Sequence, residues 1–499
     1  MEEMMLNTEK VFRFFEEISR IPHGSGNTGQ IAKYLVNFAR ERNLLVKKDE
    51  AGNIAIFKDA SEGYEKAGAV ILQGHMDMVC EKDTDCEIDM ATEGISLLTD
   101  GEFIFADGTT LGGDDGIAIA YMLALLDDGQ IPHPPLEILI TNDEEVGLAG
   151  ASALSIEGFK AKRLINLDSE EEGYLTVSCA GAVRTYSDIP VEYESVYAEK
   201  EEKYLMETGL QEGSSQTSFR IEISNLKGGH SGVDIGNQRS NAIILMGRIL
   251  SELSLKYDFR IVNVSCPGRE NVIPKGAECI LVCEVANTDA FTEDFLSLCE
   301  QIYMELEETE SDVEFELAEY LVQFRCLTLE STKKLIFAMY HMPDGVQVEY
   351  PEIPGMIRSS LNTGILELSD DFARFGTLIR SNMDEEKQMV INKVKTFIEF
   401  LGGTVRLEND YPAWAYRKDS PLRDKMVQIF ESLYGQSPKI SITHGGLECG
   451  ILAGRLGNLD MVSMGPNLYD VHTPRERMEI ASVQRTWEYL LEILGNMKE

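Results

Sequence analysis

Residues 69–79 read AVILQGHMDMV, an apolar run that ends on a histidine and an aspartate. Ala69–Leu72 is short and apolar, which predicts a buried strand, and His75 and Asp77 follow where that strand stops. Two more apolar runs end in the same way. Leu136–Thr141 leads into Asp143, Glu144 and Glu145, and Arg163–Leu167 leads into Asp168. Between the first two runs lie a glycine-rich stretch, DGTTLGGDDG at 107–116, and an apolar helix over Ile117–Leu126. Strand–helix alternation of this kind predicts an α/β fold with helices on both faces of the sheet. In such sheets, sites gather beyond the carboxyl ends of the strands.

The pattern extends outward in both directions. Thr8 is expected to cap a helix bearing Val11, Phe12, Phe15 and Ile18, and a second helix is expected from about Thr28 to Arg40. Strands are expected over Asn53–Phe57, Ile440–Ile442 and Met461–Met464, and a last helix from about Val483 to Met497. The middle has a different character. It opens with a charged stretch, EYESVYAEKEEKYLMETGLQEG at 192–213. Strands follow over Ser218–Ser224, Glu278–Val285, Ser360–Leu368 and Arg374–Arg380, with amphipathic helices over Asn241–Leu253, Thr292–Glu307 and Glu385–Leu401. The expected organisation is a mixed-sheet α/β domain over 1–184 and 413–499, interrupted by a large α+β domain over 185–412.

Composition narrows the function. The 499 residues carry 45 Lys and Arg against 85 Asp and Glu, a formal charge of −40. Such a field repels polyanions, so nucleic acid and anionic membrane surfaces are excluded as default partners. The nine cysteines are odd in number and contain no C-x-x-C, which points to free thiols in a reducing compartment. The N-terminus is acidic and lacks a basic segment ahead of an apolar one, and no apolar run approaches the ~20 residues of a spanning helix. A cytoplasmic protein is expected.

Each candidate motif has a plain structural reading when taken alone. His75 with Asp77 can be a hydrogen-bonded core pair, Asp114 and Asp115 can cap a helix, and the acids at 143–145 and 168–172 can be solvated turns. His472, in the loop after Met461–Met464, can be a loop histidine without a role. Jointly they say more. Of seven histidines, four stand in glycine- or carboxylate-rich settings: GHMD, KGGHSG, THGGLE and DVHTP. Imidazole with carboxylate suits Zn²⁺. Two histidines and three carboxylates, one of them bridging, make two open metal positions, and two divalent cations balance three carboxylates and a hydroxide. A neutral cluster of that kind is easier to bury than a charged one.

The motifs GHMDMVCEK, GTTLGGDDGIAIA, ITNDEEVGLAGA, NLDSEEEG, LKGGHSGVDIGNQRSNA, THGGLECGIL and SMGPNLYDVHTPRERM resemble those of the co-catalytic zinc peptidases, the clan of aminoacylases, glutamate carboxypeptidases and cytosolic dipeptidases. Within that clan the chain resembles the aminoacyl-histidine (Xaa-His) dipeptidases, and the likeness includes RIPHGSGN at 20–27 and YPAWAYRKDSPL at 411–422. The resemblance implies that His75, Asp114 and Asp168 hold one zinc and that Asp114, Glu145 and His472 hold the other. Manganese and cobalt suit the same ligands. It further implies Asp77 as the group that fixes His75, and Glu144 as general base and then acid. The inserted domain would be a lid through which two copies pair. In it, His230 would polarise the scissile carbonyl, and Arg380 and Asn271 would hold the substrate. His444 and Glu448 would line the pocket, and His23, His133 and His341 would be structural. The implied reaction is hydrolysis of a small dipeptide. An N-acyl-amino-acid deacylase and a non-catalytic metal-binding module are the rival expectations.

Overall fold

All six residues of the Val70–His75 strand are buried, as its apolar run requires. The computed structural model describes residues 2–195, 216–284, 288–320, 325–351 and 356–498. Val70–His75 lies inside an eight-stranded sheet, ordered Leu45–Lys48, Ile54–Lys58, Leu136–Thr141, Val70–His75, Arg163–Asn166, Asp460–Ser463, Tyr174–Cys179 and Lys439–Thr443. The four strands from Leu136–Thr141 to Asp460–Ser463 run parallel. Ile54–Lys58 pairs antiparallel with Leu136–Thr141, so the sheet is mixed. The parallel register brings Thr141, His75, Asn166 and Ser463 to one end of the sheet, and the segments bearing Asp77, Asp143, Glu144, Glu145 and Asp168 leave from that end.

The helix Gly113–Asp127 explains how this layer is held. Every residue from Asp115 to Leu126 is buried, which suits a helix that is apolar all round and packed in a core. Its Tyr121 ring stacks on Trp487 of the helix Ile480–Gly495, with centroids 5.7 Å apart and planes at 6°. The Tyr121 hydroxyl donates to the Val483 carbonyl at 2.9 Å.

The chain forms two compact units, one of Met1–Cys179 with Trp414–Glu499 and one of Ala180–Ala413. In the first, Cys179 and Trp414 exchange two backbone hydrogen bonds of 3.1 Å, so the interrupted chain resumes where it left off. The second is built on an antiparallel sheet ordered Glu314–Tyr320, Gln216–Ser224, Ala277–Glu284, Phe259–Cys266, Ile357–Leu368, Phe372–Ser381, Gly181–Pro190 and Thr404–Tyr411, with Gly345–Glu349 also paired to Ile357–Leu368. Leu361, Phe375, Ile379 and Val183 share a core with Val390, Ile391, Val394 and Ile398 of the helix Asp384–Phe400. Because side chains alternate along a strand, Ser360, Asn362 and Arg380 fall on the opposite face.

Several expectations need correction. The first helix runs Glu2–Ser19, so Thr8 lies inside it rather than at its start. Glu, Met and Leu ahead of Thr8 are good helix formers and carry the helix back past it. The helix Leu329–His341 and the strands Gly181–Pro190 and Thr404–Tyr411 were not foreseen. Residues 196–213 of the charged stretch, and Val285, lie outside the described residues. Among the described residues no helix is long and apolar enough to cross a membrane.

Trp487 is 2% exposed, and its indole nitrogen has no hydrogen-bond partner among the described residues. Its contribution is therefore packing. Trp487→Ala should cost about 3–5 kcal/mol of stability, whereas Trp487→Phe should recover most of that loss. Urea unfolding of the two variants beside the parent chain checks this, and equal losses would contradict it.

Candidate metal centre

His75 ends its strand with its ring orientation already fixed. Nδ1 donates to the Asp77 carbonyl at 2.9 Å, which leaves the Nε2 lone pair to face outward. Nε2 lies 3.0 Å from Asp114 Oδ1 and 3.5 Å from Asp168 Oδ1. On the other side, His472 Nε2 lies 3.2 Å from Asp114 Oδ2 and 2.8 Å from Glu145 Oε1. Asp114 therefore offers one carboxylate oxygen to each imidazole. His75, Asp114 and Glu145 bring ligand atoms within 4.8 Å of one another, and so do His75, Asp115 and Asp168. Neutral imidazole with carboxylate oxygens is a donor set that fits divalent transition ions, and these side chains are already gathered at ligand spacing.

Local sequence explains the gathering. The Asp115 carboxylate tucks under the His75 strand and accepts its backbone N–H at 3.2 Å. A Cβ at Gly74 would lie 2.4 Å from Asp115 Oδ2, so only glycine admits that carboxylate. His472 adopts φ +62°, a left-handed backbone that costs a residue with a side chain about 1–3 kcal/mol. Such strain persists where the surroundings dictate it.

Asp77 contacts both His75 and the acidic loop. Its carbonyl, not its carboxylate, takes the His75 hydrogen bond, and Oδ1 stands 3.6 Å from Nδ1. The carboxylate instead accepts the backbone N–H of Glu144 at 3.0 Å and of Glu145 at 3.3 Å, with the Ser25 hydroxyl at 2.8 Å. One residue thus orients the histidine with its main chain and the acidic loop with its side chain.

Electrostatics show crowded negative charge. Burial pushes Asp168 and Glu448 each up to about 7 and raises Glu144 well above the carboxylate range. Asp114 is buried too, yet its hydrogen bonds to His472 and His75 hold it below the usual value. Those bonds to Asp114 and Glu145 lift His472 to about 11. Burial opposes a charge on His75, but the charge of Asp168 and the close carboxylates of Asp114 and Asp168 outweigh it and raise the imidazole. Both histidines are thus raised by the carboxylates that surround them.

Glu448 is fully buried and accepts from Gln73 Nε2 at 2.6 Å and Thr141 Oγ1 at 2.5 Å, while its Oε1 has no partner among the described residues. Gln73 accepts from Asn166, and Ser463 joins Asn166 to Ser169, so a polar chain crosses the sheet beneath the acids. His444 is 9% exposed in the loop ahead of Glu448. His23 and His133 bond to nearby carbonyls, and His341 packs on Phe337 and Tyr340.

In the second unit, His230 lies on a short strand paired with Val272–Ile273. Its Nδ1 accepts the backbone N–H groups of Gly232 and Val233 at 3.2 and 3.3 Å, so its proton sits on Nε2. Burial and the charge of Arg380 lower its pKa. Arg380 is 6% exposed, and its Nε is unpartnered among the described residues. The Asn271 carbonyl accepts from Ser231 N at 2.9 Å, and Asn362 Nδ2 donates to the carbonyls on either side of Asn271 at 2.7 and 2.8 Å. Sequence reading missed Ser25, Gln73, Asn362 and Glu476. None carries a local signal, because each acts through a contact distant in sequence.

Comparison with known proteins accords with this geometry. The model of peptidase family M20/M25/M40 matches residues 71–496. Cytosol non-specific dipeptidase of Escherichia coli is 32% identical over 489 residues, 98% of either chain. The crystal structure of aminoacylhistidine dipeptidase from Vibrio alginolyticus superposes with a TM-score of 0.88 at 32% identity, covering 97% of this chain and 96% of that one. Aminopeptidase PepT from Bacillus cereus shares the fold at 16% identity and a TM-score of 0.55, over 99% of each chain. The chain belongs to peptidase family M20/M25/M40 and is a peptide-bond hydrolase.

Proposed function

We propose that the chain is a metal-dependent dipeptidase, acting on Xaa-His peptides or on a broad range of dipeptides. The observation that carries this reading is Asp114, whose two oxygens stand 3.0 and 3.2 Å from two imidazoles beside the loop of Glu144. The printed names of the Escherichia coli and Vibrio relatives support it. His75, Asp114 and Asp168 would hold one divalent ion, and Asp114, Glu145 and His472 the other. Zinc is the proposed metal. Bound there, the ions supply Lewis acidity that acidifies a water and polarises the scissile carbonyl.

The chain's own groups do the rest. Glu144 takes the proton of the attacking water and returns it to the leaving amine. Asp77 holds the Glu144 backbone so that its carboxylate arrives in a fixed place. His230, with its proton on Nε2, has a donor to offer the carbonyl oxygen that gains charge. Arg380, with Asn271, takes the substrate carboxylate. His444 and Glu448 line the pocket. Residues 185–412 form the lid and the surface for pairing of two copies, in a cytoplasmic enzyme.

A panel of free dipeptides, including β-alanyl-histidine and α-aminoacyl-histidines, tests the reading with and without added Zn²⁺, Mn²⁺ or Co²⁺. Metal-dependent cleavage is expected, and activity confined to N-acetylated amino acids would replace dipeptidase with deacylase. Glu144→Gln should keep both ions and lose at least ~10²-fold in kcat; turnover close to the parent's would remove Glu144 from the role. His472→Ala should lower the metal content of the purified chain by one ion. An unchanged content by elemental analysis would refute the ligand set.

A further inference from the structure

The glycine-rich loop ahead of Asp114 is an anion cradle, and the chain fills it with its own carboxylate. Glu476 is 3% exposed. Its Oε2 accepts the backbone N–H of Leu111 at 2.8 Å and of Gly112 at 3.1 Å. Its Oε1 accepts Gly113 N–H at 2.8 Å, with Asp114 N–H at 3.4 Å. Four successive N–H groups converge on one carboxylate, the arrangement by which loops hold phosphates and other anions. The loop bends to do so through Gly112, at φ +68°. A Cβ at Gly113 would lie 3.2 Å from Glu476 Oε1.

Glu476 has cations for neighbours but uses none of them. Arg475 pairs with Asp83 and Arg477 with Asp470, and no ion pair among the described residues includes Glu476. Its backbone N–H donates to the Thr473 carbonyl at 3.0 Å, closing a tight turn directly after His472. The strand Arg477–Glu479 then pairs with Phe103–Ala106, which anchors the far side of that turn.

We propose that Glu476 is a positioning residue that sets the separation of Asp114 from His472, by binding the loop that presents the first to the turn that presents the second. Backbone contact to Asp114 itself and four-residue spacing from His472 leave neither side free to drift without breaking these bonds. The inference rests on the metal-centre reading above. Glutamine at this position offers one acceptor oxygen and turns an NH₂ toward backbone donors, so at least one pair of bonds is lost.

The test is competition of the purified full-length chain with a chromophoric chelator for Zn²⁺, on the parent chain, Glu476→Gln and Gly113→Ala, with the unfolding midpoint of each measured in excess chelator. The parent should bind two ions. Glu476→Gln should lose about 10–100-fold in affinity for at least one of them, with kcat lowered, KM little changed and kcat recovered at saturating metal. Gly113→Ala, which crowds the same carboxylate with one methyl, should shift affinity the same way and keeps the test open if Glu476→Gln does not fold. A purely structural staple would lower the metal-free midpoint and leave affinity and stoichiometry alone. That result, in a folded variant beside a parent holding two ions, overturns the inference. A parent that holds no ions overturns the metal-centre reading itself.

Discussion

Carboxylates crowded close together and out of water set the terms for this structure. Asp77, Asp114, Asp115, Glu144, Glu145, Asp168 and Glu448 all converge on the carboxyl ends of four parallel strands. Burial and mutual repulsion each oppose that crowding. Several of the acids are satisfied by the protein. Asp77 takes two backbone N–H groups and a hydroxyl, Asp115 takes the His75 N–H, and one oxygen of Glu448 takes Gln73 and Thr141 while its other has no partner among the described residues. Asp114 and Glu145 instead turn oxygens to imidazoles, and Asp168 shares one of those imidazoles with Asp114. The uncompensated charge is thus collected in one place, where cations answer it.

The rest of the first unit serves that concentration of charge. Parallel pairing aligns the strand ends, and the buried apolar stretch 117–126 of the helix Gly113–Asp127 anchors the turn that carries Asp114. Beneath the acids, the chain of Thr141, Glu448, Gln73, Asn166, Ser463 and Ser169 keeps buried polar groups bonded to one another. A partly satisfied network there would be costly, because low dielectric strengthens both made and missing bonds.

The legible part of the sequence was the part governed by short-range pattern. Apolar runs at Val70–His75 and Leu136–Thr141 announced strands because both faces of those strands are buried, and their polar ends announced the site. The sheet order was hidden, since nothing local says that Asp460–Ser463 pairs with Arg163–Asn166. Roles depending on contact across hundreds of positions were hidden too. Glu476 reads as one acid among 85 until its four backbone donors are seen. That the Asp77 main chain makes the bond to His75 was hidden, because a sequence displays side chains and the bond is made by a carbonyl. Arg380 drew notice, and His230 received a role, only through family likeness, as a strand arginine and a glycine-rich turn have ordinary readings of their own.

The pairing of Cys179 with Trp414, and of Asp460–Ser463 between Arg163–Asn166 and Tyr174–Cys179, also orders events in time. A ribosome delivers the early strands long before their late neighbour. At about 5–20 residues per second, nearly 300 residues of translation separate the two, a delay of roughly 15–60 s. During that interval the nascent sheet has an open edge, and Ala180–Ala413 emerges in full. The imidazole of His472 reaches Asp114 and Glu145 only after residue 472 has been made, so the two-histidine constellation cannot assemble before that point.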